Sequence, residues 1–243
     1  MTALPHRLLR ALDRFNAAHP WDHNAHFHPW ILRQLPRRFG SALDVGSGSG
    51  DLAALLATRA ATVHGIDADP AITARAREAV PRSAPVTFTV ADALTGIPGD
   101  SYDVITCVAV LHHLPLADAL TVFRRHLAPG GTLVIVGLAR EQSPADRLLA
   151  AASVPLNVAT GWFKNRGRTR EGCPDRSRTG RGRAGGSCAD RDRTARRPVA
   201  MTAPARPADL PFSVVLREAH RILPGARLRR RLFWRYTLVW RHP

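Results

Sequence analysis

The fold is decided by the stretch Ala42-Leu43-Asp44-Val45-Gly46-Ser47-Gly48-Ser49-Gly50. Its apolar first half predicts a buried strand. The three glycines predict a tight turn that lets a ligand approach the backbone closely, because glycine has no Cβ. Leucine and alanine then recur at helical spacing over residues 52–57, so a helix follows the turn. The start of that helix would present N–H groups and a positive dipole end to the turn, which suits an anionic ligand group.

A second strand ends in an acid at a distance typical of nucleotide recognition. Residues 62–66 predict this strand, and Asp67 follows it, 21 residues after Gly46. At that spacing a strand-end carboxylate meets the ribose hydroxyls of a bound nucleotide or nucleoside. Strand, glycine turn, helix and acid together predict a nucleoside-containing cofactor.

Two acidic residues separate the cofactor classes. A dinucleotide-binding turn prefers G-x-G-x-x-G/A, whose last position is the charged Asp51 here. Asp44 precedes the first glycine by two residues, where a carboxylate can bind the amino group of a methionine moiety, directly or through water. Residues 44–50 resemble the first motif, D/E-x-G-x-G-x-G, of the class I S-adenosylmethionine-dependent methyltransferases. The resemblance implies that S-adenosyl-L-methionine is the cofactor and that Asp67 holds its ribose.

The resemblance implies further cofactor contacts along the chain. Residues 86–90 predict a third strand ending at Ala91-Asp92-Ala93, where the family uses an acid to bind the adenine amino group and a neighbouring backbone group to bind a ring nitrogen. The alternative for Asp92 is a strand-end cap. The implied cofactor-binding residues are Asp44, Gly46, Ser47, Gly48, Gly50, Asp67, Ala68, Asp92, Ala93 and Val108.

The loop after the fourth predicted strand holds the candidates for chemistry. Residues 102–110 are nearly all apolar, typical of a parallel strand covered on both faces, and they lead into Leu111-His112-His113. Nucleic-acid amino methyltransferases often carry an Asn/Asp-Pro-Pro-Tyr type motif here, and this chain does not. The Leu-His-His pattern resembles enzymes that methylate small molecules, including the quinone-biosynthesis type. His112 or His113 could act as a general base. The alternative, which we favour, is that they orient the loop or pack behind the cofactor, because methyl transfer often needs no strong base.

The chain before the first strand is predicted to be helical. Residues 4–18 predict an amphipathic helix, and an aromatic and imidazole-rich segment follows. In many small-molecule methyltransferases the N-terminal helices form a lid. On that resemblance the lid candidates are His23, Asn24, His28 and Trp30. The alternative is a helix-packing segment with Asp22 or Asn24 as an N-cap.

A break in composition divides the second half of the chain. Residues 164–198 contain no Val, Ile, Leu, Met, Phe, Tyr or Trp, so they are predicted to be disordered. They could be an electrostatic tether, an inert insertion or the product of a shifted reading frame. Residues 164–197 contain 12 Lys and Arg residues and 4 acidic residues. Their net charge of +8 is half of the net charge of the chain, +16. This concentration of charge weakens the case for a nucleic-acid substrate.

The predicted domain organisation has three parts. Residues 1–38 form an N-terminal helical lid, residues 39–163 and 199–243 form the methyltransferase domain, and residues 164–198 form the insertion. The resemblance implies an α/β fold, Rossmann-like and doubly wound, with a mostly parallel seven-stranded sheet. Residues 226–240 predict its closing hairpin, with an antiparallel last strand. Five arginines of this hairpin are expected to line a solvated edge that resists edge pairing: Arg227, Arg229, Arg230, Arg231 and Arg235.

The remaining expectations concern the compartment and the acceptor. There is no run of 18 apolar residues and no signal-peptide order, and the three cysteines have no metal-like spacing. We therefore expect a cytoplasmic protein with no membrane span and no metal. The predicted activity is methylation of an O, N or C centre of a small molecule. The alternatives are an RNA or protein acceptor, a non-catalytic scaffold that binds S-adenosylmethionine and, last, a nicotinamide oxidoreductase. Neither the acceptor nor the oligomeric state follows from the sequence.

Overall fold

The computed structural model describes residues 22–140, 142–165 and 207–243. The predicted helix over residues 4–18 lies outside these ranges. So does the predicted insertion from residue 166 onward, whereas Lys164 and Asn165 end a helix. The three-part domain division therefore stays a prediction. Among the described residues, no helix is long and apolar enough to cross a bilayer, and no cluster of His, Cys, Asp or Glu could hold a metal ion.

One seven-stranded sheet organises the chain. Its strands are β1 Phe39–Val45, β2 Ala60–Asp67, β3 Val86–Val90, β4 Tyr102–Val108, β5 Leu127–Leu138, β6 Arg227–Arg231 and β7 Arg235–Arg241. Their order is β3-β2-β1-β4-β5-β7-β6. The first five are parallel, and β7 runs antiparallel to both β5 and β6. The predicted Rossmann-like sheet with its antiparallel last strand is confirmed. The strand order reverses between β1 and β4, which is where open α/β sheets bind ligands.

Six helices cover the two faces of the sheet in the described part of the chain. They are α1 His28–Gln34, α2 Asp51–Leu56, α3 Pro70–Ala79, α4 Leu116–Arg125, α5 Pro144–Asn165 and α6 Phe212–Ile222. Successive strand side chains point to opposite faces. Leu43 therefore joins a core with residues of α4 and α6, and its neighbour Ala42 joins a second core with residues of α1, α2 and α3.

The predicted fourth strand is two residues too long. It ends at Val108 because Ala109 takes a left-handed conformation with φ of 56°, which breaks the extended run. Such a conformation is uncommon for a residue with a Cβ. It turns the chain so that Val110 lies against Gly46 in the turn after β1. The loop with the two histidines therefore begins beside the glycine turn.

Two elements run through residues that usually end a strand or a helix. Pro129, Gly130 and Gly131 lie inside β5. The pairing shifts there, since Tyr102 is opposite Leu127 and Val104 is opposite Thr132, so the extra residues form an irregularity in the ladder. The helix α5 continues through Pro155 to Asn165.

Candidate functional site

The glycine turn connects β1 to α2 at the carboxyl edge of the parallel strands. Gly46, Gly48 and Gly50 all have positive φ, at 69°, 51° and 83°. A Cβ at Gly46 would lie 2.0 Å from Val110 Cγ2, and one at Gly50 would lie 2.7 Å from the Phe88 ring. A Cβ at Gly48 would have no atom within 4 Å. Gly48 therefore marks the open side of the turn, where a ligand can approach the backbone.

Four backbone N–H groups of the turn are already bonded within the protein. Those of Gly46 and Ser47 donate to the carbonyl oxygen of Ile66, at 2.8 and 3.0 Å, and that of Gly50 donates to the Ser47 carbonyl oxygen at 2.9 Å. The N–H of Gly48 donates to Asp67 Oδ2 at 3.0 Å. The N–H groups of Ser49 and of the first turn of α2 are not among these bonds, so the expectation that this turn suits an anionic ligand group stays a prediction.

Asp67 connects the turn after β1 to the end of β2. Besides the bond from Gly48, its Oδ1 accepts the N–H of Asp69 at 3.0 Å. Asp69 in turn caps α3, with its Oδ1 accepting from the N–H groups of Ala71 and Ile72. A carboxylate offers about four lone-pair sites. Asp67 is half-buried and can still accept hydroxyl donors while it holds both backbone groups.

Asp44 is the second carboxylate of this region and is 2% exposed. Burial raises the pKa of Asp44 to about 7, the hydrogen bond from Thr106 opposes the rise, and the charge of Asp67 adds to it. Thr106 Oγ1 donates to Asp44 Oδ1 at 2.7 Å. Two carboxylates close enough to affect one another favour a cation between or beside them.

The buried hydroxyl of Ser47 is a further polar group of the turn. Its Oγ has no hydrogen-bond partner among the described residues, and the residue is only 8% exposed. Buried polar atoms are nearly always bonded, so an unpaired one in a turn points to a missing ligand or water. Ser47 and Gly48 therefore provide an unsatisfied polar atom and an open approach side by side.

The predicted adenine contacts lie at the ends of β3 and β4. The side chain of Asp92 is exposed, and its Oδ1 accepts from the N–H groups of Leu94 and Thr95 at 2.8 and 3.1 Å. Asp92 is therefore a cap of its own loop in this structure, as the alternative interpretation had it. Ala68 is exposed, Ala93 is buried and Val108 is half-buried. The role of these residues in binding adenine stays a prediction.

The two candidate bases stand on a short 3₁₀ helix, Leu111–His113, directly after Val110. The rings of His112 and His113 have centroids 3.9 Å apart, and both residues are half-buried. Leu111 anchors this helix in the core. The histidines therefore lie at the carboxyl edge of the sheet, one loop away from the glycine turn.

The four lid candidates divide into two pairs. His28 and Trp30 lie on α1, which packs on α2 in the second core. Burial lowers the pKa of His28, while the charges of Asp22 and Asp51 oppose this. His23 and Asn24 instead contact α5 and β7. His23 Nε2 lies 2.8 Å from Asn157 Oδ1, and Asn24 Oδ1 accepts a hydrogen bond from Arg235 Nη2 at 3.0 Å.

The expectation that five hairpin arginines line a solvated edge is only partly right. Arg227 and Arg229 are exposed on β6, the edge strand. Arg230, which is also exposed, and the half-buried Arg231 and Arg235 line a shallow, half-open cavity of about 40 Å³. Sequence reasoning missed this cavity. One signal could have indicated it. A hairpin over these residues places Arg231 opposite Arg235, and two like charges facing each other across strands are destabilising unless an anion lies between them.

Comparison with known proteins agrees with the fold. Residues 43–135 match the family model described as a methyltransferase domain. The match begins in β1 and ends in β5, so it contains the glycine turn, Asp67, Asp92 and the loop with the two histidines.

Curated relatives are similar over part of the chain. A trans-aconitate 2-methyltransferase from Methylobacterium radiotolerans is 40% identical over 127 residues, which are 49% of this chain and 47% of that protein. A ubiquinone biosynthesis O-methyltransferase from Pseudomonas putida is 33% identical over 146 residues, 54% of this chain and 61% of that protein. The chain thus spans about half to three fifths of the length of the curated relatives it matches. Since these relatives are named for different substrates, they do not resolve a subgroup.

A solved structure is similar over nearly the whole chain. It is the N-methyltransferase NodS from Bradyrhizobium japonicum in complex with S-adenosyl-L-homocysteine, with a TM-score of 0.52 and 18% sequence identity. The similarity covers 96% of this chain and 97% of that chain. At this identity the comparison shows the fold alone, which is the Rossmann-like methyltransferase fold.

Proposed function

We propose, on the premise that residues 43–135 are a class I S-adenosylmethionine-dependent methyltransferase domain, that the protein methylates an oxygen, nitrogen or carbon centre of a small molecule. The observation that carries the proposal is the electrostatics of the glycine turn. Four of its N–H groups are bonded within the protein, and the carboxylates of Asp44 and Asp67 lie beside it. Such a site disfavours the pyrophosphate of a dinucleotide and suits a ligand with an ammonium and a sulfonium group.

The residues present fit S-adenosylmethionine. Asp67 accepts the ribose hydroxyls, Asp44 and Ser47 bind the amino-acid end, and Gly48 leaves room for the close approach that this end needs. Asp92, Ala93, Ala68 and Val108 remain the proposed adenine contacts. When bound, this cofactor supplies a methyl group on a positively charged sulfur, which is an activated donor.

The chain itself contributes positioning. Holding two reactants in line supplies up to about 7–11 kcal/mol of a barrier. The loop at Val110, His112 and His113 lies between the turn after β1 and the end of β5, so it shapes the wall on which an acceptor meets the donor. His23, Asn24, His28 and Trp30 are the proposed lid over this region. We assign His112 and His113 the task of orienting the loop.

Two measurements test the proposed function. Isothermal titration calorimetry should show binding of S-adenosylhomocysteine at one site per chain. Incubation of the full chain with donor labelled in its methyl group and a small-metabolite extract should transfer label to a small molecule. Absence of binding refutes the cofactor. Binding without transfer to small molecules, RNA or protein would make the chain a non-catalytic scaffold. Transfer to RNA or protein alone would refute the small-molecule acceptor.

A further inference from the structure

The cavity lined by the hairpin arginines lies at the same edge of the sheet as the proposed methyl-transfer site. Its lining includes Arg140, just after β5, Arg231 at the end of β6 and Arg235 at the start of β7. All three positions are at the carboxyl edge of β5, which is also the edge of the glycine turn after β1. Arg140 follows β5, two strand steps from β1, whereas Arg235 and Arg231 lie on β7 and β6, three and four steps away. At about 4.8 Å per step these positions are about 10 to 19 Å from β1 across the sheet. A molecule bound by Arg231 and Arg235 must therefore extend past Arg140 to reach the donor.

The charge of the cavity is unbalanced. Four arginines line it against one carboxylate, Asp146. Although partial burial acts to raise the pKa of Asp146, hydrogen bonds from Ser143, Gln142 and Arg230 lower it to about 2, so it is ionised at neutral pH. Asp146 forms an ion pair with Arg230 at 2.5 Å. Arg140, Arg231 and Arg235 have no such carboxylate partner among the described residues.

Arg231 and Arg235 are held in place without being neutralised. They are cross-strand partners in the hairpin, and both are half-buried. Arg231 Nε donates to Thr237 Oγ1 at 3.2 Å, and its guanidinium lies 5.3 Å from the centre of the Trp30 ring. Arg235 donates to Asn24 Oδ1, while its Nε is buried and has no acceptor within the described part of the chain. Burial lowers the pKa of Arg235, opposed by the charge of Asp22, so an anion beside it would be stabilising.

An unusual hairpin tip gives the cavity an aromatic wall. Phe233 and Trp234 both have positive φ, at 60° and 58°, which is rare for bulky residues and is found at functional sites. Phe233 is buried, and its N–H donates to Ser153 Oγ at 2.8 Å. Trp234 is 39% exposed and lines the cavity with Phe212. The tip therefore places a flat apolar surface beside three arginines.

We infer that this cavity binds the methyl acceptor, and that the acceptor is a small molecule with an apolar body and a carboxylate or phosphate group. Arg231 and Arg235 bind the anionic group, with Arg140 at the rim, because planar guanidinium groups match both anions in geometry and charge. Trp234 contacts the apolar body. The identification of the ligand as the methyl acceptor rests on the proposed function. The anion site itself does not depend on the cofactor.

Calorimetry on the full chain tests the site with two simple probes, citrate for carboxylates and inorganic phosphate for phosphates, at constant ionic strength. We expect one of them to bind at one site, and the one that binds identifies the anion. The double variant Arg231→Gln/Arg235→Gln should bind it at least tenfold more weakly. Arg227→Gln, on the same strand but outside the cavity, removes one positive charge and should leave the affinity within twofold of wild type.

Three results would overturn the inference: neither probe binds, the double variant binds normally, or Arg227→Gln weakens binding as much as the cavity variants do. If the double variant does not fold, Arg140→Gln repeats the test at an exposed position and should weaken binding at least threefold. Titration of the same samples with S-adenosylhomocysteine separates the two proposals. Binding of the anion without binding of S-adenosylhomocysteine would refute the proposed function and leave the anion site in place, and the reverse result would refute the anion site alone.

Discussion

Asp67 Oδ2 accepts a hydrogen bond of 3.0 Å from the backbone N–H of Gly48, so the last residue of one strand holds the turn after the neighbouring strand. This contact places a carboxylate on the open side of the glycine turn, where the ribose of the proposed cofactor would lie. The same residue therefore shapes the turn and offers acceptors to the ligand.

Replacing Asp67 with alanine should weaken S-adenosylhomocysteine binding at least tenfold. Hydrogen bonds to a charged group contribute about 1.5–3 kcal/mol each, and about 1.4 kcal/mol corresponds to tenfold in affinity. The matched control is Asp103→Ala, because Asp103 Oδ2 accepts from the N–H groups of Gly40 and Ser41, at 2.7 and 2.9 Å, at the amino end of β1. That variant should lose stability and keep its affinity in calorimetry. Equal losses of affinity in the two variants would contradict the role of Asp67.

The glycines of the turn should respond differently to alanine. Gly48→Ala meets no neighbouring atom and strains the backbone only through its positive φ, a cost of about 1–2 kcal/mol, but it should abolish measurable S-adenosylhomocysteine binding by filling the approach to the turn. Gly225→Ala has the same open surroundings, with φ of 80°, and should lose similar stability with full affinity. Gly46→Ala must displace Val110 and should unfold most easily. Urea denaturation and calorimetry measure both quantities, and a Gly48→Ala protein that binds normally would exclude close approach at this position.

Binding should also depend on pH through Asp44. The pKa of Asp44 is raised to about 7 by burial, so the carboxyl holds a proton below that pH and is ionised above it. An ammonium group binds the ionised form. We therefore expect S-adenosylhomocysteine affinity to rise between pH 6 and 8, and to approach a tenfold gain per pH unit at the acidic end. In Asp44→Asn, which keeps an oxygen for Thr106, this rise should disappear.

The same carboxyl fixes the sign of a stability effect in the cofactor-free protein. Between about pH 4 and pH 7 the folded state retains a proton that the unfolded state releases, so the free energy of unfolding falls as the pH rises. Asp44→Asn removes this fall, and the difference between wild type and variant should grow to at most about 4 kcal/mol in favour of the variant at pH 8. Urea denaturation of both proteins at pH 5 and 8 measures it, and a constant difference would show that Asp44 ionises normally.

The sheet and the cofactor turn follow from local sequence, whereas the second half of the site does not. A strand, three glycines and Asp67 at fixed spacing determine a known geometry, and the apolar run of β4 determines its burial. The sequence does not mark Ala109 for its left-handed conformation, because residues with a Cβ rarely adopt it. The arginine cavity forms where the paired strands β6 and β7 meet α5, which is far from them in the chain. The sequence alone therefore suggested a solvated edge.

His112 and His113 provide a test of how the chain promotes methyl transfer. Loss of a general base typically costs 10²–10⁴ in rate. Because the donor is already activated, we expect the double variant His112→Gln/His113→Gln to transfer labelled methyl groups to a metabolite extract at more than a tenth of the wild-type rate. Its affinity for S-adenosylhomocysteine should be unchanged. A loss of a hundredfold or more, with unchanged affinity, would instead identify one of the two as the base.

Ser153 should hold the hairpin tip that shapes the proposed acceptor cavity. Its Oγ accepts the buried N–H of Phe233 at 2.8 Å and donates to the carbonyl of Leu149 at 2.7 Å. Ser153→Ala removes this hydrogen bond from the buried N–H, so we expect a loss of about 1–3 kcal/mol in urea denaturation. Thr121→Ala is the matched control, since Thr121 Oγ1 makes only the second kind of bond, to the carbonyl of Ala117 at 2.7 Å, and its loss should be below about 1 kcal/mol. If the two variants lost the same stability, the bond to Phe233 would contribute nothing, and the positive φ of Phe233 and Trp234 would need another support.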